Sequence, residues 1–96
     1  MLTGKQKRFL RSKAHHLKPI FQVGKIGVNE NMIVQVNEAL EKRELIKVSI
    51  LQNCMDDKEM VAQELQAGTN SEIVQIIGNN IVLYKESEEN KQIELP

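Results

Sequence analysis

Cysteine occurs once in these 96 residues, at Cys54, so no internal disulfide can form and no cysteine cluster holds a metal. Tryptophan is absent, and Phe9, Phe21 and Tyr84 are the whole aromatic complement. That is too few for the stacking platforms of sheet-based single-strand binders. No apolar run nears the roughly 18 residues that span a bilayer. The early Lys and Arg residues are not followed by the apolar core of a secretion signal. A cytoplasmic protein with no membrane partner is therefore expected. His15 and His16 are adjacent, hence about 100° apart on a helix, and cannot share a metal ion. Neither Gly-x-Gly-x-x-Gly nor a phosphate-loop Gly-Lys-Ser/Thr occurs, which removes nucleotide binding of those types. Nothing pairs Cys54 with a histidine at readable spacing, and Asp56 and Asp57 are accounted for by helix capping. The expectation is no enzyme, no cofactor, no metal and no small-molecule substrate.

What is there is charge, sharply segregated. The formal net charge is zero. Yet Met1 to Gly27 holds Lys5, Lys7, Arg8, Arg11, Lys13, Lys18 and Lys25 with no acid among them. From Asp56 onward the acids Asp56, Asp57, Glu59, Glu64, Glu72, Glu86, Glu88, Glu89 and Glu94 face only Lys58, Lys85 and Lys91. A polyanion responds to the local field rather than the total charge.

The apolar content, 41%, is periodic and sufficient for one modest core. Thr3 with Gln6 forms a capping box, and the helix it opens is expected to run to Leu17 or Lys18, where Pro19 stops it. Leu10, Ala14 and Leu17 would share its buried face, with Lys7, Arg8, Arg11 and His15 on an adjacent stripe. Residues 19–23 read as a strand, residues 24–27 as a loop, and Asn29 as the cap of a helix from Glu30 to Arg43 in which Ile33, Val36 and Leu40 recur. In residues 45–51, Leu45, Lys47, Ser49 and Leu51 alternate with Ile46, Val48 and Ile50, and the second, wholly apolar set should face helices. Asp56 with Glu59 reads as another capping box. The helix that follows should bury Met60, Val61, Ala62 and Leu65, then end at Gly68 in the left-handed conformation. Strands 72–77 and 81–85 flank the turn Gly78-Asn79-Asn80. The predicted architecture is a two-layer α/β sandwich in the order α-β-α-β-α-β-β, with a mixed four-stranded sheet whose early pairing is parallel and whose final hairpin is antiparallel. Residues 1–85 form the domain, and the acidic segment 86–96 is expected to be a flexible tail.

Gly24-Lys25-Ile26-Gly27 is the sharpest local feature. It precedes a helix N-terminus, where free amides and the helix dipole favour an anion. Two glycines let backbone approach a phosphate, and Lys25 adds a mobile charge. The Gly-x-x-Gly loop of KH domains clamps nucleotides by the same logic. Contacts should fall mainly on phosphate and sugar, with His15 and Phe9 as further candidates, although core burial is the more common fate of a ring such as Phe9.

With these residues in view, Leu2-Thr3-Gly4-Lys5-Gln6-Lys7, Leu10-Arg11, residues 14–20, Gln22-Val23-Gly24-Lys25-Ile26-Gly27-Val28, residues 44–48, residues 74–78 and Val82-Leu83-Tyr84-Lys85 together resemble the stand-alone bacterial CRM domains, the YhbY-like family. Lys85 departs from the Arg often found there. The resemblance implies a fold similar to the C-terminal domain of bacterial translation initiation factor three. It also implies RNA binding, with Gly24, Lys25, Ile26 and Gly27 as the clamp and Lys5, Lys7, Arg8, Arg11, His15 and Lys18 as the basic surface. It further implies binding to ribosomal RNA of the large-subunit precursor, the pre-50S particle, as an assembly factor, while nothing in the sequence demands more than a monomer. A different class of function, an adaptor docking an acidic protein on the basic helix, fits the same charge pattern.

Overall fold

In the computed structural model, which describes Met1–Pro96, seven elements follow in the expected order. They are α1 (Gly4–Ala14), β1 (Phe21–Val23), α2 (Glu30–Arg43), β2 (Leu45–Ile50), α3 (Lys58–Thr69), β3 (Glu72–Ile77) and β4 (Asn80–Tyr84). The strands form one mixed sheet in the order β1-β2-β4-β3. β1 and β2, linked by the α2 crossover, are parallel, while β4 is antiparallel to both its neighbours. The closing hairpin turns through Gly78, whose φ of 57° lies in the left-handed region that glycine adopts without strain.

Strand alternation sends side chains into two cores. Ile46 and Val48 of β2, with Ile81 and Leu83 of β4, pack against Val36 and Leu40 of α2 and Val61, Ala62 and Leu65 of α3. The interleaved Leu45, Val82 and Tyr84, with Val74, pack against Leu10 and Ala14 of α1. Each fully buried aliphatic side chain contributes about 1.5–3 kcal/mol. The sheet is thus covered on both faces, α1 on one side and α2 with α3 on the other. The expected two-layer sandwich gains a third layer because Leu45, Val82 and Tyr84 make the second face apolar too.

Local differences have local causes. α1 ends at Ala14, short of the limit set by Pro19, and Leu17 is exposed rather than buried. The chain needs residues 15–20 to travel from α1 to the sheet edge, where the Ile20 amide donates to the Lys47 carbonyl. The cap of α3 is Asp57, not Asp56; its carboxylate accepts from the Met60 amide at 2.8 Å, and Met60 itself lies half exposed. Gly68 does not end α3. The left-handed residue is Asn70, and Gly68 lies inside the helix because a Cβ there would collide with the Ile33 side chain of α2.

The segment 86–96 was expected to fray. Instead Ile93 is buried in the α1-side core and Leu95 packs against it. Glu44, fully buried at the C-terminus of α2 with a φ of 65°, accepts the amides of Ser87 (2.8 Å), Gln92 (2.6 Å) and Ile93 (2.8 Å). Glu41 accepts the amides of Glu88 and Glu89 and the hydroxyl of Ser87. Two carboxylates therefore hold a segment whose composition alone gives it little to bury.

Candidate nucleic-acid interface

The first wall of the site is α1. Its start is set by the capping box, in which the Thr3 hydroxyl accepts from the Gln6 amide at 3.1 Å and the Gln6 side chain accepts from the Thr3 amide at 3.0 Å. With Leu10 and Ala14 directed at the sheet, the residues Arg8, Arg11, Ser12 and His15 form one flank at i, i+3, i+4 and i+7 spacing. They border a groove of about 770 Å³ whose other side is Lys47 of β2, Gln75 and Ile77 of β3, Gly78 of the turn, and Asn80 and Val82 of β4. No acidic residue lines it. The one ion pair in the chain joins Lys91 to Glu86, so none of the groove's cations has a carboxylate partner.

Not every basic residue of the N-terminal segment belongs to this groove. Lys5 and Lys7 lie on α1 outside its lining. Lys18 borders a smaller depression with Arg43 and Lys47, so Lys47 adjoins both. Phe9 is on the opposite flank of α1, half buried, with the Lys13 ammonium 5.3 Å from its ring centre. Together they border a depression with Lys91, Gln92, Ile93 and Glu94. Phe9 is thus committed to packing.

Gly24-Lys25-Ile26-Gly27 folds as a hydrogen-bonded turn, the Gly27 amide donating to the Gly24 carbonyl at 3.0 Å. Gly27 has a φ of 69°, so glycine is required there, and Lys25 and Ile26 are exposed at the tip. Residues of the β2–α3 connection lie behind it. A Cβ on Gly24 would touch Asn53 and Leu51, and one on Gly27 would come within 3.1 Å of the Asp56 carboxylate. Asn29 caps α2 by accepting from the Met32 amide at 2.8 Å.

The turn follows Val23, which pairs with Ile50, and the Ile50 amide donates to the Asn79 carbonyl. The glycine turn, the end of β2 and the β3–β4 hairpin therefore occupy the same end of the sheet. Asn80 and Gly78 of that hairpin line the groove, whereas residues 24–27 do not. The glycine turn and the groove are therefore two separate features at one end of the sheet.

Lys47, Gln75 and Asn80 were missed by sequence reading. Lys47 is visible only as a cation on the strand face opposite Ile46, Val48 and Ile50, a face that reads as solvated until α1 is placed over it. Gln75 needs a β-bulge to reach its position.

A small α/β domain with an unpaired cationic groove beside a lysine-tipped glycine turn has the build of a module for polyanions. The chain belongs to the CRS1/YhbY (CRM) domain family, whose model matches residues 2–85. It is 76% identical over 96 residues, the full length of both chains, to Probable RNA-binding protein YqeI of Bacillus subtilis (strain 168). It is 39% identical over 95 residues, 99% of this chain and 95% of the other, to a Haemophilus influenzae protein named RNA-binding protein. Among solved structures it matches a Staphylococcus aureus protein, described as a hypothetical protein and candidate RNA binder, with a TM-score of 0.83, 64% identity and full coverage of both chains.

Proposed function

We propose that this chain is a non-catalytic, monomeric, cytoplasmic RNA-binding protein that takes part in assembling the large ribosomal subunit by gripping ribosomal RNA of the pre-50S particle. The groove carries the reading: Arg8, Arg11 and Lys47, with His15, face one cleft that no acid lines. Cations gathered without an internal counter-charge are suited to phosphate oxygens, and neutralising those phosphates releases condensed counterions. Gly24, Lys25, Ile26 and Gly27 supply a second contact at the same end of the sheet, and Lys5, Lys7 and Lys18 extend the field that steers encounter. The names of the Bacillus and Haemophilus relatives support RNA as the ligand. The ribosomal part rests on the resemblance to stand-alone bacterial CRM domains.

The test is binding of large-subunit ribosomal RNA fragments to the purified protein across a salt series. Affinity should fall steeply, with a slope of about 0.7–0.9 per phosphate contact. Changing Arg8 and Arg11 together to Glu should weaken binding by about a hundredfold, and Lys25→Glu by about tenfold. Unchanged affinity in the double variant, or tighter binding to an acidic protein than to RNA, refutes the site. Sedimentation of the tagged protein in cell extract tests the ribosomal part, which fails if the protein never travels with large-subunit precursors.

A further inference from the structure

Resting on that reading of the groove as an RNA site, we infer that it seats unpaired nucleotides, with Gln75 and Asn80 reading a base edge at its floor while Arg8 and Arg11 hold phosphates at its rim. A clamp for phosphate alone needs cations and backbone amides. This groove also presents Ser12, Gln75 and Asn80, three uncharged groups that donate and accept. Amide side chains match the mixed donor and acceptor pattern of base edges.

Gln75 reaches the groove through an irregularity. Ile73 pairs with Leu83 and Gln75 with Val82, so Val74 and Gln75 both stand opposite Val82. The bulge directs both toward α1 while Ile73 and Ile76 keep their places against the α2–α3 core. In a regular strand the residue two beyond Ile73 would share its face, and an amide would enter that core.

The floor and rim differ in character. Lys47, Gln75 and Asn80 are half buried, with Ile77 offering apolar surface to a base face, while Arg8, Arg11 and His15 are exposed. None of the groove's polar side chains hydrogen-bonds within the chain. The His15 ring, standing edge-on to His16 at 5.3 Å, and the guanidinium planes supply stacking surfaces where aromatic residues are scarce. A duplex hides its base edges in stacked pairs, and A-form RNA presents a broad shallow groove that calls for a protruding reader. A cleft sunk between a helix and a sheet admits a single strand.

Fluorescence anisotropy on the whole protein tests this, using single strands of A, C or U of about 12 nucleotides and an A·U duplex of the same length. Single strands should bind about tenfold tighter than duplex, and one homopolymer about fivefold tighter than another. Gln75→Ala with Asn80→Ala should bring the homopolymers within about twofold of each other while leaving the salt slope unchanged, whereas Lys47→Ala should reduce that slope by about 0.7. Asn80→Ala alone, at the hairpin, repeats the test if the double variant melts early by circular dichroism. Equal or tighter binding of duplex, or a homopolymer preference that survives the amide substitutions, overturns base reading. Absence of binding to either form overturns the RNA site itself. A salt-dependent affinity lost with Arg8 and Arg11 but indifferent to Gln75 and Asn80 removes only the base-reading part.

Discussion

The two ends of the charge distribution treat their ions in opposite ways. Along α1 the side chains of Arg8, Arg11 and His15 face a groove with no partner inside the chain. At the end of α2 the carboxylates of Glu41 and Glu44 are saturated by amides and side chains of residues 87–93. Both regions are rich in charge, and sequence composition alone cannot rank them. Saturation distinguishes them: ions satisfied internally stabilise the fold, and ions left open are available to a ligand.

That contrast can be broken most strongly at Glu44. Glu44→Ala removes the acceptor of three backbone amides, two of them buried, and should lower the unfolding free energy by about 2–4 kcal/mol, read from urea melts. RNA affinity of the folded fraction should stay the same, since the groove is untouched. Acid should act on the same contacts. Burial raises the Glu44 pKa from its usual 4.5, but the amides of Ser87, Gln92 and Ile93, with the charge of Lys91, outweigh it and hold the carboxyl lower. Glu41 is also lowered, chiefly by the Glu88 amide, then by the Ser87 hydroxyl and the Glu89 amide. A depressed carboxyl contributes stability that is whole above pH 4.5 and lost as pH falls through the folded value. Urea midpoints should therefore drop on acidification below pH 4.5, and less so in Glu44→Gln.

On the open side the effects invert. Arg11→Gln should cost about fivefold in RNA affinity at moderate salt and leave the urea midpoint in place. Smallest, and sharpest as a test of the principle, is Tyr84. Its hydroxyl is buried against α1 without a partner, and burial, reinforced by the charges of Glu44 and Glu86, pushes its pKa up. Being unsatisfied yet inaccessible, it should serve no ligand. Tyr84→Phe should raise stability by about 0.5–1 kcal/mol and leave RNA binding alone.

How far the sequence could be read follows from the range of the forces involved. α2 was legible to the residue because Asn29 caps it, and Val36 and Leu40 recur on one face. Gly68 misled because glycine serves two ends, a left-handed terminus or a close helix approach, and only the Ile33 side chain distinguishes them. Asp56 and Asp57 are equivalent as caps until the chain path selects one. The segment 86–96 was opaque because Glu44 meets its partners across 43 to 49 residues of sequence. Half of the candidate surface, Arg8, Arg11 and His15, was visible as a helical stripe. The other half was hidden, because Lys47 and Gln75 acquire their setting only when α1 crosses the sheet and a bulge turns an amide outward.

The lateness of Glu44's partners has a consequence for how the chain comes off the ribosome. The end of α2 emerges carrying a carboxylate destined for the interior, and the amides that will donate hydrogen bonds to it have yet to be synthesised. A nascent chain can wind that helix but cannot seal its end, so the α1 side of the sheet stays open until Ile93 arrives. Completion of this small domain is thus delayed until residues 87–93 have been made.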